Sequence, residues 1–290
     1  IEILQSLGYD YVFGPDISLG GDYEERLDYR EVVLGSRVKD ALFRINKGIP
    51  SEALEEAYRR IITFNSPMLE ENNRSFHRLL TEGIDVSFAE DGNIRTKNVQ
   101  IVDFSEEGIK NNEFLVINQF TIIENEERRP DLLIFVNGIP LVIIELKSAS
   151  DENVGIESAY NQIQTYKKDN PSLINYNAFC ILSDGINAKA GTITSNEERY
   201  MNWRSIDGKV VEPLSNPQYE VMFGGMLQKH RLLDIIKNFI LFQESSVDEK
   251  DENGKKLGDK KTIIKIMAAY HQYFAVKKAV EKTKEATKED

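Results

Sequence analysis

Two short apolar runs separated by an Asn-Gly pair constrain this chain more than any other feature. The runs are Leu132–Val136 and Leu141–Leu146, and Asn137-Gly138 lies between them. Asn-Gly between apolar segments is a strong signal for a tight β-hairpin turn. The continuous apolar stretch Leu141–Ile144 is typical of a strand that is covered on both faces. The sequence therefore predicts a buried β-hairpin.

The remaining segments show helical and strand patterns in turn. Some have apolar residues at a helical period between helix-breaking residues, and others are short β-type apolar runs. Helices are predicted for Leu27–Asn46, Glu52–Phe64, the segment from Pro67 to near Gly83, Glu157–Lys168 and Leu227–Phe242, and strands for Ile84–Phe88, Val99–Phe104, Phe114–Ile123 and Tyr176–Leu182. Strands and helices mixed in this way indicate an α/β core, preceded by a helical elaboration over about residues 22–83.

A charged segment with two glycines divides the chain near its end. Residues 244–261 (ESSVDEKDENGKKLGDKK) are almost free of apolar side chains, so we interpret them as a flexible linker. Residues 262–290 show one long helical pattern, which we interpret as the truncated start of a second domain. Residues 1–243 then form the first domain, with its α/β core over about 84–206.

The net charge and the composition limit the kinds of binding site and the cellular location that this chain can have. The formal net charge is −12, whereas proteins that bind nucleic acid by themselves usually present a basic surface. Either DNA binding by this chain depends on a metal ion and on partner subunits, or the chain does not bind DNA. Cys180 is the only cysteine, which excludes an internal disulfide and a multi-cysteine zinc site. No stretch reaches the roughly 18 apolar residues of a membrane helix, so we expect no membrane association and a reducing, cytoplasmic location.

Charged residues stand at one end of the predicted hairpin. Asp131 immediately precedes the first run, and Glu145 and Lys147 end the second. Because the side-chain period of a strand is two, Glu145 and Lys147 project from the same face. With a two-residue turn Asp131 faces Ile144, whereas a three-residue connection with Gly138 left-handed brings Asp131 opposite Glu145. We expect the second register, which places two carboxylates and one amine together.

These three side chains suit the hydrolysis of a phosphodiester. Asp131 and Glu145 can hold Mg²⁺ (or Mn²⁺), and the backbone carbonyl of Leu146 can serve as a further oxygen ligand. The metal can polarise a phosphoryl oxygen and acidify a bound water. Lys147 can orient or deprotonate that water, or offset charge in the transition state. Alternatively, a Glu and a Lys two apart are simply a solvated strand edge, although a charged pair ending a buried strand is costly unless paired or metal-bound.

An extended block around these residues resembles a known nuclease signature. The segments Arg129-Pro130-Asp131, Phe135–Leu141 and Glu145-Leu146-Lys147 are similar to the PD-(D/E)xK signature of type I restriction subunits, the HsdR family. Gln162 and Tyr166 match a Q-x-x-x-Y motif of related nucleases. The resemblance implies a restriction-endonuclease-like α/β core, with a mixed central sheet flanked by helices and an N-terminal helical elaboration.

The resemblance also implies roles for the site residues. Asp131 and Glu145 would be the metal ligands and Lys147 the catalytic lysine of a type I endonuclease. Gln162 and Tyr166, four apart on one helix face, would contact DNA or support the lysine. Packing of an amphipathic helix, with Tyr166 half-buried, explains that pair equally well. Double-stranded DNA is the implied substrate, and the methyltransferase (modification) and specificity subunits are the implied partners.

In the family, the full-length subunit couples cleavage to ATP-driven translocation. The segment Tyr270–Phe274 resembles the residues before the family's phosphate-binding loop, where Gln272 would read adenine. No G-x-x-x-x-G-K-[ST] sequence occurs, so we expect no ATP binding by this chain alone. Related nucleases often supply another acidic residue from an N-terminal helix, and Glu2 and Glu31 are the candidate substitutes here.

Two other functions compete with that of an endonuclease domain. A non-catalytic docking module, linking a motor to a methyltransferase–specificity core, is supported by the acidic charge and the N-terminal helices. An inactivated nuclease is expected to have lost Asp131, Glu145 or Lys147, and all three are present. A stand-alone nuclease for damaged or foreign DNA shares the chemistry but has no need of the C-terminal segment.

Overall fold

The computed structural model describes residues 1–147, 155–250 and 256–287, and for 247–250 and 256–261 only the backbone is described. The helices are α1 (Glu2–Ser6), α2 (Gly35–Ile45), α3 (Ser51–Ile61), α4 (Leu69–Glu82), α5 (Ile156–Asp169), α6 (Pro171–Tyr176), α7 (Gln218–Met226), α8 (Lys229–Asn238) and α9 (Tyr270–Ala286). The strands are β1 (Asp10–Phe13), β2 (Ile84–Glu90), β3 (Asn93–Val99), β4 (Phe114–Asn118), β5 (Ile122–Ile123), β6 (Glu127–Arg128), β7 (Leu132–Val136), β8 (Ile139–Leu146), β9 (Phe179–Ser183), β10 (Ala188–Gly191), β11 (Ile240–Lys250) and β12 (Lys256–Met267). Over these described ranges, no helix is long and apolar enough to cross a membrane.

A six-stranded mixed sheet forms the centre of the molecule. Its strand order is β1-β4-β7-β8-β9-β10. Strand β1 is parallel to β4 and β8 is parallel to β9, while the other neighbouring pairs are antiparallel. Helices α5 and α6 pack against the β8–β9 region, and α7 packs against β10. The predicted α/β fold with a mixed sheet flanked by helices is therefore confirmed.

The predicted hairpin is present as β7 and β8, and it is almost completely buried. Asn137 and Gly138 form a two-residue turn, with φ values of 51° and 79° that are both left-handed. Next to the turn Phe135 pairs with Pro140, but further along Ile134 pairs with Val142, so Leu141 is an extra residue in β8. This β-bulge, and not a three-residue connection, produces the predicted register at the far end of the hairpin. The predicted register is right, and the predicted turn is wrong.

The turn is fixed by the segments that surround it. The carbonyl oxygen of Gly138 accepts a hydrogen bond from the backbone N–H of Leu34 at 2.9 Å. The side-chain oxygen of Asn137 accepts from the backbone N–H of Glu113 at 2.8 Å, and its amide nitrogen donates to the carbonyl of Ile101 at 3.0 Å. A Cβ atom at Gly138 would lie 2.7 Å from the carbonyl oxygen of Leu34. The hairpin tip therefore has one tightly constrained position.

We expect Gly138→Ala to destabilise the chain more than Gly92→Ala does. Both glycines are left-handed, at φ values of 79° and 76°, but a Cβ at Gly92 would meet no atom within 4 Å. The left-handed conformation alone costs alanine about 1–2 kcal/mol, and overpacking at Gly138 adds about 1–3 kcal/mol. Urea unfolding of the two variants measures the difference. Equal losses of stability in the two variants would show that the backbone at Leu34 moves away from the added methyl group at little cost.

The first of the predicted helices, Leu27–Asn46, is shorter than predicted. Helix α2 begins at Gly35, and residues 27–34 are not helical. The side chain of Arg26 is 1% exposed, and its guanidinium donates to the carbonyl oxygens of Tyr29, Glu31 and Thr121. A helix would need the Tyr29 and Glu31 carbonyls for its own hydrogen bonds. The predicted start of the helix at Leu27 is therefore wrong, whereas α3 and α4 lie close to their predicted positions.

The strand predicted for Val99–Phe104 is also misplaced. The partner of β2 is β3, which ends at Val99, and the two strands form a separate ribbon with Asp91-Gly92 as its turn. Residues 93–98 are exposed. The sequence did not predict this strand because its residues are mostly polar. A two-stranded ribbon in solvent has no buried face, so its apolar and polar residues need not alternate.

Most of the segment predicted as a flexible linker lies in two strands that pair with each other. Helix α8 ends at Asn238 instead of Phe242, and β11 and β12 pair antiparallel from Ile240↔Met267 outwards. Ile263 and Met267 are buried at the base of this hairpin. Once the base is anchored, backbone hydrogen bonds extend the pairing without apolar side chains. Within the predicted linker, residues 244–250 and 256–261 are paired strand, and residues 251–255 lie outside the described residues. The predicted long helix begins at Tyr270 instead of residue 262, while the division into two domains stays a prediction.

A buried lysine joins the second hairpin to the rest of the molecule. Lys265 in β12 is 1% exposed, and its Nζ donates to Asn73 Oδ1 at 2.9 Å and to the carbonyl of Asn177 at 2.6 Å. Its backbone N–H donates to the hydroxyl of Thr194 at 2.8 Å. Burial lowers the pKa of Lys265 from 10.5 to about 7. The neighbouring His77, also buried, has its pKa lowered to about 3.

We expect Lys265 to make the stability of the chain rise with pH. Between about pH 7 and 10.5 the unfolded chain binds a proton at this amine that the folded chain does not. Its contribution to the free energy of unfolding is therefore fully present above pH 10.5 and is lost as the pH falls towards 7. Urea unfolding from pH 7 to 9.5 should show a smaller rise in the free energy of unfolding for Lys265→Met than for wild type. Lys110→Met, at an exposed site, should match wild type. Identical pH dependence in all three proteins would contradict the assignment.

Candidate active site

The charged end of the β7–β8 hairpin lies at one edge of the central sheet. The antiparallel register places the start of β7 beside the end of β8, with Leu132 opposite Ile144. The parallel partner β9 ends at the same edge, where Leu146 pairs with Ser183 and the N–H of Lys147 donates to the Ser183 carbonyl at 2.7 Å. Asp131, Glu145 and Lys147 are thereby brought together from two segments of the chain.

Asp131 is held across the hairpin. It precedes β7, is half-buried, and one of its carboxylate oxygens accepts a hydrogen bond from the backbone N–H of Leu146 at 2.7 Å. That N–H belongs to the residue between Glu145 and Lys147. The bond ties the first acidic residue to the strand end that carries the other two charged groups.

Glu145 is the buried centre of the cluster. The residue is only 3% exposed, and its two carboxylate oxygens accept from Lys147 Nζ at 2.7 Å and from the Tyr166 hydroxyl at 2.9 Å. Burial raises the pKa of Glu145 above its usual range, and the nearby Asp131 adds to this, while the bonds from Lys147 and Tyr166 oppose it. The site therefore holds a desolvated carboxylate that favours a cation beside it.

Tyr166 and Gln162 lie on α5, one turn apart, and act on the glutamate. Tyr166 is 2% exposed, and Gln162 hydrogen-bonds to it, which partly offsets the rise in the Tyr166 pKa caused by burial. The sequence offered DNA contact or support of the lysine as roles for this pair. In the structure, the Tyr166 hydroxyl donates to one oxygen of Glu145, and Lys147 donates to the other.

The oxygen atoms at this edge fit a small hard cation. Asp131 and Glu145 supply carboxylates, and Mg²⁺ typically takes one or two protein carboxylates and completes its shell with water and substrate phosphate. Among residues 1–147, 155–250 and 256–287, no group of three or more His, Cys, Asp or Glu side chains could hold a metal ion. Of the two candidate upstream acids, Glu31 accepts from the backbone N–H of Leu27, and neither Glu31 nor Glu2 belongs to such a group.

Gln272 has a structural contact in this chain. Its side-chain oxygen accepts from the backbone N–H of Ala269 at 2.8 Å and caps the first turn of α9. The residue is exposed on the surface. Contact with adenine stays a prediction.

We expect removal of the Tyr166 hydroxyl to raise the pKa of Glu145 further. Tyr166→Phe keeps the ring and deletes the donor that stabilises the ionised carboxylate. Carbon-detected NMR titration of the Glu145 carboxyl measures the change. Thr165→Val, on the same helix, serves as a control because the Thr165 hydroxyl donates to the Asn161 carbonyl. An unchanged titration in Tyr166→Phe would mean that this hydrogen bond does not act on Glu145.

The chain belongs to the family described as type I restriction enzyme R protein N terminus, which it matches over residues 1–199. It is 33% identical, over 100% of its length and 26% of the relative's, to the type I restriction enzyme HindI endonuclease subunit of Haemophilus influenzae. It is 32% identical, over 98% of its length and 27% of the relative's, to the putative type I restriction enzyme MjaIXP endonuclease subunit of Methanocaldococcus jannaschii.

A third relative, the EcoprrI endonuclease subunit of Escherichia coli, is 28% identical over 79% of this chain and 71% of its own length. The chain spans about a quarter of the length of the first two relatives. The resemblance stated from the sequence is therefore confirmed at the level of the family.

Two residues at the same sheet edge were not singled out from the sequence. Asn118 ends β4 opposite Leu132, and its side-chain oxygen accepts from the Tyr11 hydroxyl at 3.0 Å. Gln119 follows it with a positive φ of 54°. No local sequence signal indicates this conformation, because glutamine is uncommon at such positions.

Proposed function

We propose that this chain is a metal-dependent endonuclease domain with a PD-(D/E)xK core, which hydrolyses phosphodiester bonds of double-stranded DNA. One observation carries the proposal. Asp131, Glu145 and Lys147 converge at one sheet edge, where the lysine amine lies 2.7 Å from the buried glutamate. The relatives' names, which describe endonuclease subunits of type I restriction enzymes, support the same function.

In this proposal Asp131, Glu145 and the carbonyl oxygen of Leu146 hold Mg²⁺ or Mn²⁺. When bound, the ion supplies Lewis acidity and lowers the pKa of water. Asp131 is aligned by its bond to the N–H of Leu146, so a substitution there removes both a ligand and a contact across the hairpin. Tyr166, supported by Gln162, keeps one oxygen of Glu145 in a fixed direction.

Lys147 provides the positive charge beside the reacting phosphate. Its side chain is 20% exposed whereas that of Glu145 is 4% exposed, so the amine lies on the solvent side of the pair. From there it can orient the attacking water or offset negative charge in the transition state. Both roles require the amine at this position.

The negative charge of the chain bears on how DNA reaches the site. A net charge of −12 gives phosphate little long-range attraction. We therefore infer that methyltransferase and specificity subunits bring the DNA, and that ATP is used by the full-length subunit for translocation. A cytoplasmic location, where the other subunits act, fits this arrangement.

The alternative, a non-catalytic docking module, is supported by the acidic composition and by the N-terminal helices. A buried carboxylate with a raised pKa is costly to keep in a strand with no chemical task. Replacing a buried ion pair by apolar residues is often neutral or stabilising. The retained pair at Glu145 and Lys147 therefore favours the enzyme.

Asp131→Ala or Lys147→Ala, made in the full-length subunit assembled with its partners, should abolish double-strand cleavage. ATP hydrolysis should continue, because neither side chain belongs to a nucleotide site. The matched controls are Asp10→Ala and Lys110→Ala, at exposed positions. The assay follows plasmid cleavage and ATP hydrolysis in parallel. Cleavage that survives both site substitutions would place the nuclease centre elsewhere.

The two site variants should differ in metal binding. Asp131→Ala removes a ligand and should weaken Mn²⁺ binding, whereas Lys147→Ala should leave it in place. Calorimetric titration with Mn²⁺ separates these outcomes without relying on activity. Equal loss of binding in both variants would contradict the separate roles given to the carboxylate and the amine.

A further inference from the structure

Gln119 has a backbone conformation that its residue type disfavours. Its φ is 54°, in the left-handed region that costs a non-glycine residue about 1–2 kcal/mol. The other non-glycine residues with positive φ, in the described part of the chain, are Asp91 and Asn137. Both of these form two-residue hairpin turns, where Asn and Asp are favoured. Gln119 is in no such turn, so a hairpin does not account for its strained conformation.

The strained residue is next to the proposed active site. Strand β4 pairs antiparallel with β7, and the last pair is Asn118↔Leu132. One step further along the two chains are Gln119 and Asp131. The sheet edge therefore presents Gln119, Asp131 and the end of β8 in order across neighbouring strands. Strained backbone conformations cluster at such functional positions.

The backbone at Gln119 is fixed from two sides. A Cβ at Gly14 would lie 2.6 Å from the carbonyl oxygens of both Asn118 and Gln119, so only glycine permits this approach. On the other side Phe120 is fully buried, with the Arg26 guanidinium carbon 3.8 Å from the centre of its ring. These contacts hold the peptide groups before and after Gln119 and so fix the position of its Cα atom.

The side-chain amide of Gln119 has no hydrogen-bond partner in the described part of the chain. The side chain is partly exposed, and it forms no hydrogen bond to any residue in the described ranges. The amide is neutral and offers two N–H donors. It can therefore bind a phosphate next to Asp131 without adding a second negative charge that would repel the phosphate. Glutamine side chains are regular donors to the phosphate oxygens of DNA.

We propose that Gln119 binds the DNA backbone beside the cleaved phosphodiester and positions it against Asp131 and Glu145. This inference rests on the proposed nuclease function. A hydrogen bond to a charged phosphate contributes enough that its loss should reduce cleavage about ten- to a hundred-fold. Removing the side chain should meanwhile relieve the backbone strain.

The decisive variant is Gln119→Gly in the full-length subunit assembled with its partners. Cleavage should fall at least about tenfold, while the melting temperature of the subunit stays equal or rises and ATP hydrolysis is unchanged. Gln119→Asn tolerates the left-handed conformation and keeps a shorter amide, so its cleavage rate should lie between glycine and wild type. The matched control is Asp91→Gly, a left-handed position in the β2–β3 turn, which should cleave at the wild-type rate.

The outcomes separate this inference from the proposed function. Wild-type cleavage by Gln119→Gly would overturn the DNA contact, and so would a fall in cleavage accompanied by a lower melting temperature. If Asp131→Ala abolishes cleavage while Gln119→Gly does not, only the role of Gln119 fails. If Asp131→Ala cleaves normally, the nuclease centre itself is wrong, whatever the Gln119 variants do.

Discussion

Burial of the β7–β8 hairpin on both faces is the constraint on which the other features depend. A strand covered on both sides cannot slide by one residue without exchanging the environment of every side chain. The single extra residue at Leu141 therefore has a large effect: it decides that Glu145, and not Ile144, lies opposite Asp131. The tight two-residue turn can remain clamped by the N-terminal segments, and the bulge sets the register of the distant charged end independently.

The electrostatics of the charged end follow from this burial. Glu145 is almost inaccessible to water, so its ionised form depends on Lys147, Tyr166 and any cation that binds. A buried charge with several partial partners responds strongly to the loss of one of them. Tyr166 is one such partner, although it is more than twenty residues away in sequence. The site is therefore a property of the packed α5 helix as much as of the hairpin.

Features that depend on local sequence could be predicted, and those that depend on distant partners could not. The presence of the hairpin, the α/β class and the three clustered charges follow from short-range patterns, whereas the two-residue length of the turn at Asn137-Gly138 was not predicted. The bulge at Leu141 is different, because it depends on how β8 meets two neighbouring strands at once. Residues 27–34 looked helical because the sequence does not show that Arg26 is buried beside the distant Thr121, where it binds the carbonyl groups of Tyr29 and Glu31. Likewise, the charged strands β11 and β12 are stabilised by pairing with each other, which composition does not reveal.

The base of the second hairpin has a mechanical consequence. Ile240 pairs with Met267, and the N–H of Ala268 donates to the carbonyl of Phe239 at 3.0 Å, so the chain enters and leaves the hairpin at one point. Tension applied through α9 is therefore transmitted to α8 across this junction and bypasses the strands beyond it. Shortening β11 and β12 beyond this junction would leave α9 in place against Trp203 and Phe239, through its residue Tyr273. The parts of β11 and β12 beyond the junction are therefore a side branch, which does not carry force between α8 and α9.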